Sequence, residues 1–134
     1  MKKKTKTISQ LKKEADSVFS QWVRRSAEEE DGLVKCVTCP NRLPWKQMQA
    51  GHYETRGTLV LRYDERNVNP QCVSCNVFKK GNYPRYATWM IKEYGEYILK
   101  ELEEEAKVIV HDSRGLYEAV IEDYKLKLKE MDDE

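Results

Sequence analysis

Two C-x-x-C pairs, Cys36-Val-Thr-Cys39 and Cys72-Val-Ser-Cys75, constrain this chain more than any other feature. Each pair brings two sulfurs into one short turn, and together they supply the full tetrahedral set for a structural zinc ion. A closed four-sulfur shell leaves no position open for chemistry, so such an ion acts as a staple. A chain of 134 residues, 35% charged and 40% hydrophobic, is one small domain with a thin core and needs one. Structural zinc contributes on the order of 10 kcal/mol to folding. Four unrelated thiols, disulfides, and a site of three Cys with His52 are the alternatives.

The compartment bears on that choice. The longest apolar runs, such as Val108-Ile109-Val110, fall far short of the roughly 20 residues a membrane span requires. Lysines open the chain, but Ile8-Ser9-Gln10-Leu11-Lys12-Lys13 follows where a secretory leader would be apolar. The expectation is a cytoplasmic protein with reduced thiols, which favours metal over disulfides.

A net charge of +1 conceals a strong asymmetry. Residues 1–25 carry 8 Lys and Arg against 2 Asp and Glu, and residues 36–95 carry 9 against 4. Residues 26–35 carry 1 against 4, and residues 96–134 carry 6 against 13. A basic centre holding the cysteines suits a polyanion such as nucleic acid, and the acidic tail does not.

The organisation reads as α+β in three parts. Residues 1–32 are a basic arm, over 1–6, and a helix. Thr7 and Gln10 have capping-box spacing, and Ile8, Leu11, Ala15, Val18, Phe19 and Trp22 recur at helical period. Residues 33–95 hold the cysteines and are broken by Pro40, Pro44, Gly51, Gly57, Pro70 and Gly81. Two strands are expected there, Met48 to Tyr53 and Thr58 to Tyr63, joined through Glu54-Thr55-Arg56-Gly57. A short helix is expected from the second cysteine pair to about Lys80, and another from Asn82 with Pro84 in its first turn. Residues 96–134 are an acidic helical extension. Its last helix spans about Leu116 to Met131, with Ser113 or Asp112 as cap and Val120, Ile121, Tyr124 and Leu128 on its apolar side.

The insert between the cysteine pairs carries His52, Asn67 and Asn69, and Asn76 follows the last Cys. A neutral imidazole near pH 7 can take a proton from water. An Asn carbonyl oxygen can orient that ring or bind a hard cation such as magnesium. Together they are equipped to hydrolyse a phosphodiester with a metal ion at the scissile phosphate.

The order Cys-x-x-Cys, His, Asn, Cys-x-x-Cys-Asn resembles the HNH, or His-Me finger, nucleases. More narrowly, Ala50-Gly51-His52-Tyr53, Leu61-Arg62-Tyr63-Asp64, Asn67, Gln71-Cys72-Val73-Ser74-Cys75-Asn76, Gly81-Asn82, Tyr86 and Tyr94-Gly95 are similar to the NinG family of phage recombination proteins. Leu11 to Asp16, with Phe19 and Arg24, are similar too, so the likeness covers about residues 8 to 107. It implies a zinc-stapled ββα-metal core flanked by helices, in a phage protein acting inside a bacterial host. It also implies cleavage of branched DNA, at Holliday junctions and D-loops, with Mg²⁺ or Mn²⁺. His52 matches the general base, Asn67 the residue bracing its loop, and Asn76 the ligand of the divalent cation.

Many HNH enzymes carry Asp directly before the catalytic His, where this chain has Gly51. Glu54, on the His52 side by strand alternation, and Asp64 are the candidate carboxylates. Arg56, Arg62, Lys79, Lys80 and Arg85 are candidate phosphate contacts. Cutting both strands of a symmetric junction suits a homodimer with twofold symmetry. Two other readings compete, a non-catalytic zinc-stapled DNA-binding module and a zinc-organised protein-interaction domain.

Overall fold

The capping box that opens the first helix is formed in full. Thr7 N donates to Gln10 Oε1 at 2.8 Å, and Gln10 N donates to Thr7 Oγ1 at 3.1 Å. The structure, a computed structural model, describes residues 5–133. Most of the expected basic arm, residues 1–4, lies outside the described residues. In chain order the elements are α1 (Ile8–Ser26), β1 (Val34–Lys35), β2 (Arg42–Leu43), β3 (Met48–His52), β4 (Val68–Cys72), α2 (Tyr83–Tyr94), α3 (Ile98–Glu105) and α4 (Arg114–Asp132). A π-helical turn, Ser74–Phe78, follows β4. The class is therefore mixed α+β, with two small antiparallel sheets, β1–β2 and β3–β4.

The chain divides into two compact units. One joins the chain up to Trp22 with the chain from His111 onward. In it the stripe of α1 meets α4: Ala15, Phe19, Tyr117, Ile121 and Tyr124 are buried, and the Phe19 and Tyr124 rings meet edge-on at 4.8 Å. Ser113 caps α4, its Oγ accepting from Leu116 N at 3.3 Å. Asp112, the other candidate cap, instead accepts the hydroxyl of Tyr117.

The other unit, Val23–Val110, contains every candidate site residue. β3 and β4 pair antiparallel from Met48↔Cys72 to His52↔Val68. Val34, Cys36, Met48, Cys72 and Cys75 form one core, and Leu61, Tyr86, Met90, Ile98 and Leu102 another. α2 stops where Gly95 takes φ +101°, a conformation L side chains rarely adopt.

The expected second strand, Thr58 to Tyr63, is not a strand. Leu59–Leu61 make a single 3₁₀ turn that drives Leu61 into the α2–α3 core, and Val68–Cys72 is the partner of β3. In sequence Pro70 reads as a break, because it cannot donate to a strand ladder. A two-stranded ribbon tolerates it, because each strand has an outer edge where no partner needs an N–H. The Pro70 carbonyl still accepts from Val37 N at 3.0 Å.

Tyr86 ties α2 to the hairpin. Its hydroxyl donates to the Gly51 carbonyl at 2.7 Å and accepts from Asn69 Nδ2 at 3.3 Å. Burial pushes the phenol pKa well up, so the donor proton stays in place. Tyr86→Phe leaves the Gly51 carbonyl and the Asn69 amide each short of a buried partner. We expect a loss of about 1–3 kcal/mol in urea unfolding, whereas an unchanged midpoint would show that the bond contributes nothing.

Candidate metal centre and the hairpin around it

The first cysteine turn and the end of β4 bring all four sulfurs together. The Sγ atoms of Cys36, Cys39, Cys72 and Cys75 lie within 4.8 Å of one another, with Cys39 and Cys72 at 3.6 Å. A tetrahedral zinc ion with bonds of about 2.3 Å separates its sulfurs by about 3.8 Å, so the cluster fits one ion with small adjustment. One four-thiol group matches neither two disulfides nor scattered thiols, and His52 is not part of it.

The surroundings suit thiolates. Cys36 Sγ accepts from Cys72 N at 3.3 Å and lies 3.3 Å from Thr38 Oγ1. The side-chain amide of Asn41 donates to Cys72 Sγ, and that of Asn82 to Cys75 Sγ, both at 3.6 Å. Such donors orient metal-binding sulfurs and spread their charge. Burial opposes ionisation of Cys72, but the Cys75 backbone N–H and the Asn41 amide outweigh it and bring the thiol down to about 7. Burial and the neighbouring sulfurs push Cys39 up to about 12. An entering ion must displace that proton, so metal affinity falls as pH falls. Thr38, Asn41 and Asn82 were not singled out from sequence as site residues; Asn41, two residues after Cys39, carries a local signal, whereas Asn82, seven residues after Cys75, carries none.

His52 ends β3. Its Nε2 lies 3.0 Å from the Arg62 carbonyl oxygen. A carbonyl only accepts, so Nε2 carries the proton and Nδ1 is the basic nitrogen of the neutral ring. Asn67, fully buried, closes the loop between β3 and β4. Its Oδ1 accepts from Glu54 N at 2.7 Å, and its Nδ2 donates to the carbonyls of Glu54 at 3.1 Å and Leu61 at 3.0 Å. Asn76, on the π-helical turn, donates to Gln49 Oε1 at 2.7 Å and is thereby fastened to β3. Gln49 stands three residues before His52, so the two side chains are anchored at different points of one strand.

The remaining candidates separate. Asp64 receives three hydrogen bonds from Arg66, which also pairs with Glu105 at 2.7 Å and Glu101 at 3.4 Å. Glu54 is half-buried, its backbone held by Asn67. Arg62 is only 9% exposed and donates to the Arg56 carbonyl at 2.7 Å, so it fastens the loop from inside and does not face solvent. Arg56, Lys79, Lys80 and Arg85 are exposed.

The structure also accounts for Gly51. Gln71 is fully buried, and its Nε2 donates to Gly81 O at 2.8 Å and Thr38 Oγ1 at 3.1 Å. That leaves Oε1 facing the Cα of Gly51 with no conventional donor. A Cβ on residue 51 would lie 1.8 Å from that oxygen. The carboxamide of Gln71 fills the space that a side chain before His52 would need, and sequence reasoning missed it.

A small α+β domain with an antiparallel hairpin and a four-cysteine centre able to hold a metal is the class that fold and site define. The model of the family described as Bacteriophage Lambda NinG protein matches residues 1–134. The chain belongs to that family. It is 32% identical to Protein ninG of Salmonella phage P22 over 122 residues, covering 85% of this chain and 59% of the relative. It is 35% identical to Protein ninG of Escherichia phage 933W and 34% identical to that of Escherichia phage lambda, each over 92 residues, or 63% of this chain and 45% of the relative. The chain thus spans about half the length of these curated relatives. No solved structure matches it.

Two outcomes test this site. Purified protein should carry one zinc ion per chain, released on acidification, and Cys72→Ser should abolish both zinc and the thermal unfolding transition; a zinc-free folded parent would contradict it. Gly51→Ala should cost about 1–3 kcal/mol, and much less in a Gln71→Ala background. Equal costs in both backgrounds, measured by denaturant unfolding, would remove the proposed clash.

Proposed function

We propose that this chain is an HNH-type, metal-dependent endonuclease that cuts branched DNA intermediates of phage recombination, Holliday junctions and D-loops among them. The observation that carries the reading is the hydrogen bond from His52 Nε2 to the Arg62 carbonyl, which fixes the tautomer of a ring at the end of a hairpin closed by four cysteines. A ring held in this way keeps Nδ1 as its basic nitrogen, the atom that would serve as general base. Asn67 braces the loop that holds both His52 and Arg62, and so acts as a positioning residue. Membership of the NinG family and the HNH-like residue order support the same reading.

The catalytic cation would be Mg²⁺ or Mn²⁺, held by the Asn76 side-chain oxygen, water and phosphate, with Glu54 as the candidate carboxylate. When bound, it supplies charge stabilisation at the scissile phosphate. Asp64 is a weaker candidate, because its oxygens are engaged by Arg66. His52 takes the proton of the attacking water. Arg56, Lys79, Lys80 and Arg85 neutralise flanking phosphates without reading bases, which suits recognition of DNA shape over sequence. A homodimer would place one such site on each of two strands.

A non-catalytic DNA-binding module is the second reading, favoured by Gln71 standing where a carboxylate before His52 would be. The two readings part on one experiment. Labelled linear, flap, D-loop and four-way substrates are incubated with Mg²⁺ or Mn²⁺, using parent and His52→Ala proteins of equal zinc content. We expect cleavage of branched forms only, reduced at least about 100-fold by His52→Ala. Salt-sensitive binding without cleavage in either metal would select the module.

A further inference from the structure

Arg85, Thr88, Trp89 and Lys92 recur at helical spacing along α2 and share one stripe. This stripe and the first cysteine turn, Lys35 to Pro40, line an open cavity of about 580 Å³. That size lies within the usual range of small-ligand sites. Val37, Pro84 and Trp89 supply its apolar lining, and Lys35, Arg85 and Lys92 its charge, with no carboxylate among the lining residues. Lys35 Nζ is anchored by the carbonyls of Cys36 at 3.2 Å and Cys39 at 3.5 Å, which fixes a positive charge beside the metal centre. Arg85 and Lys92 make no ion pair among the described residues, and no Asp or Glu occurs between Glu65 and Glu93. The Trp89 indole is oriented by edge contacts with Tyr86 at 6.2 Å and Tyr94 at 5.8 Å.

An apolar lining with an oriented indole, beside cations that no carboxylate neutralises, is chemically a nucleotide site. The base covers apolar surface, and the phosphates meet the charge. Duplex DNA offers only its phosphates, because its bases are stacked on one another. An acidic peptide would use the cations and leave the apolar lining uncovered. We propose that this cavity takes one unpaired nucleotide of a DNA strand, its base against Trp89 and its phosphates against Arg85 and Lys92. Such a site would select branched or melted DNA, whose unpaired bases are available. The inference rests on the reading that DNA is the partner, and does not depend on cleavage.

The test is equilibrium binding by fluorescence anisotropy at near-physiological salt, without added divalent metal so that no cutting intervenes. The probes are a labelled single-stranded oligonucleotide and a blunt duplex of equal length. The full chain should prefer the single strand by about fivefold or more. Arg85→Gln with Lys92→Gln should weaken single-strand binding about tenfold, with zinc content and circular dichroism unchanged. Thr88→Phe, neutral and at an exposed position lining the cavity, should remove the preference while leaving duplex binding as it was. Equal affinity of the parent for both probes, or a preference that survives Thr88→Phe, would overturn the proposal. So would failure to bind either DNA together with binding to a poly-glutamate peptide, which would give the cavity an acidic protein partner. Cleavage assays succeed or fail independently of these results.

Discussion

Four sulfurs drawn within 4.8 Å are the point at which the distant parts of the central unit converge, and a metal ion there would hold them together. They lie far apart in sequence, on a turn after β1 and at the end of β4, and neither element is long enough to be stable alone. β1 and β2 have two residues each, and a two-stranded ribbon such as β3–β4 is marginal in water. One ion at the cysteine centre would fix the register of that ribbon at Met48↔Cys72 and set the start of the π-helical turn that carries Asn76. From that anchor the ribbon runs to His52, and the bonds of Asn67 and Tyr86 hold the loop and α2 against it.

Charge is partitioned as carefully as hydrophobicity. The acidic helix α3 spends two of its carboxylates, Glu101 and Glu105, on Arg66. In the other unit Glu14 on α1 pairs with Lys6 and with Lys125 of α4, and the two bonds hold its carboxyl below the usual range. Lys79, Lys80, Arg85 and Lys92 have no such partners among the described residues. A formal charge near zero therefore coexists with a run of uncompensated cations beside the metal centre, the arrangement a polyanion recognises.

Much of this was legible in the residues. The paired C-x-x-C spacing announced the four-sulfur centre, and Thr7 with Gln10 announced the start of α1, because both signals are local and each has one good structural solution. The second strand was misread because Thr58 to Tyr63 is rich in β-formers, while Val68 to Cys72 contains Pro70. Tertiary packing of Leu61 outweighed the first signal, and the free edge of a two-stranded ribbon neutralised the second. Tyr117, fully buried on α4, was left out of the expected apolar stripe. The role of Gln71 was out of reach, since it depends on cross-strand register. So was the inward position of Arg62, whose charge alone reads as surface.

The account stands on the cysteine cluster binding a single ion. Zinc K-edge X-ray absorption on the purified chain tests this most directly, because it counts and identifies the ligand atoms. Four sulfurs at about 2.3 Å, with no nitrogen or oxygen in the shell, is the result the account requires. A shell containing imidazole nitrogen or water oxygen, or protein that folds with no zinc edge at all, would contradict it.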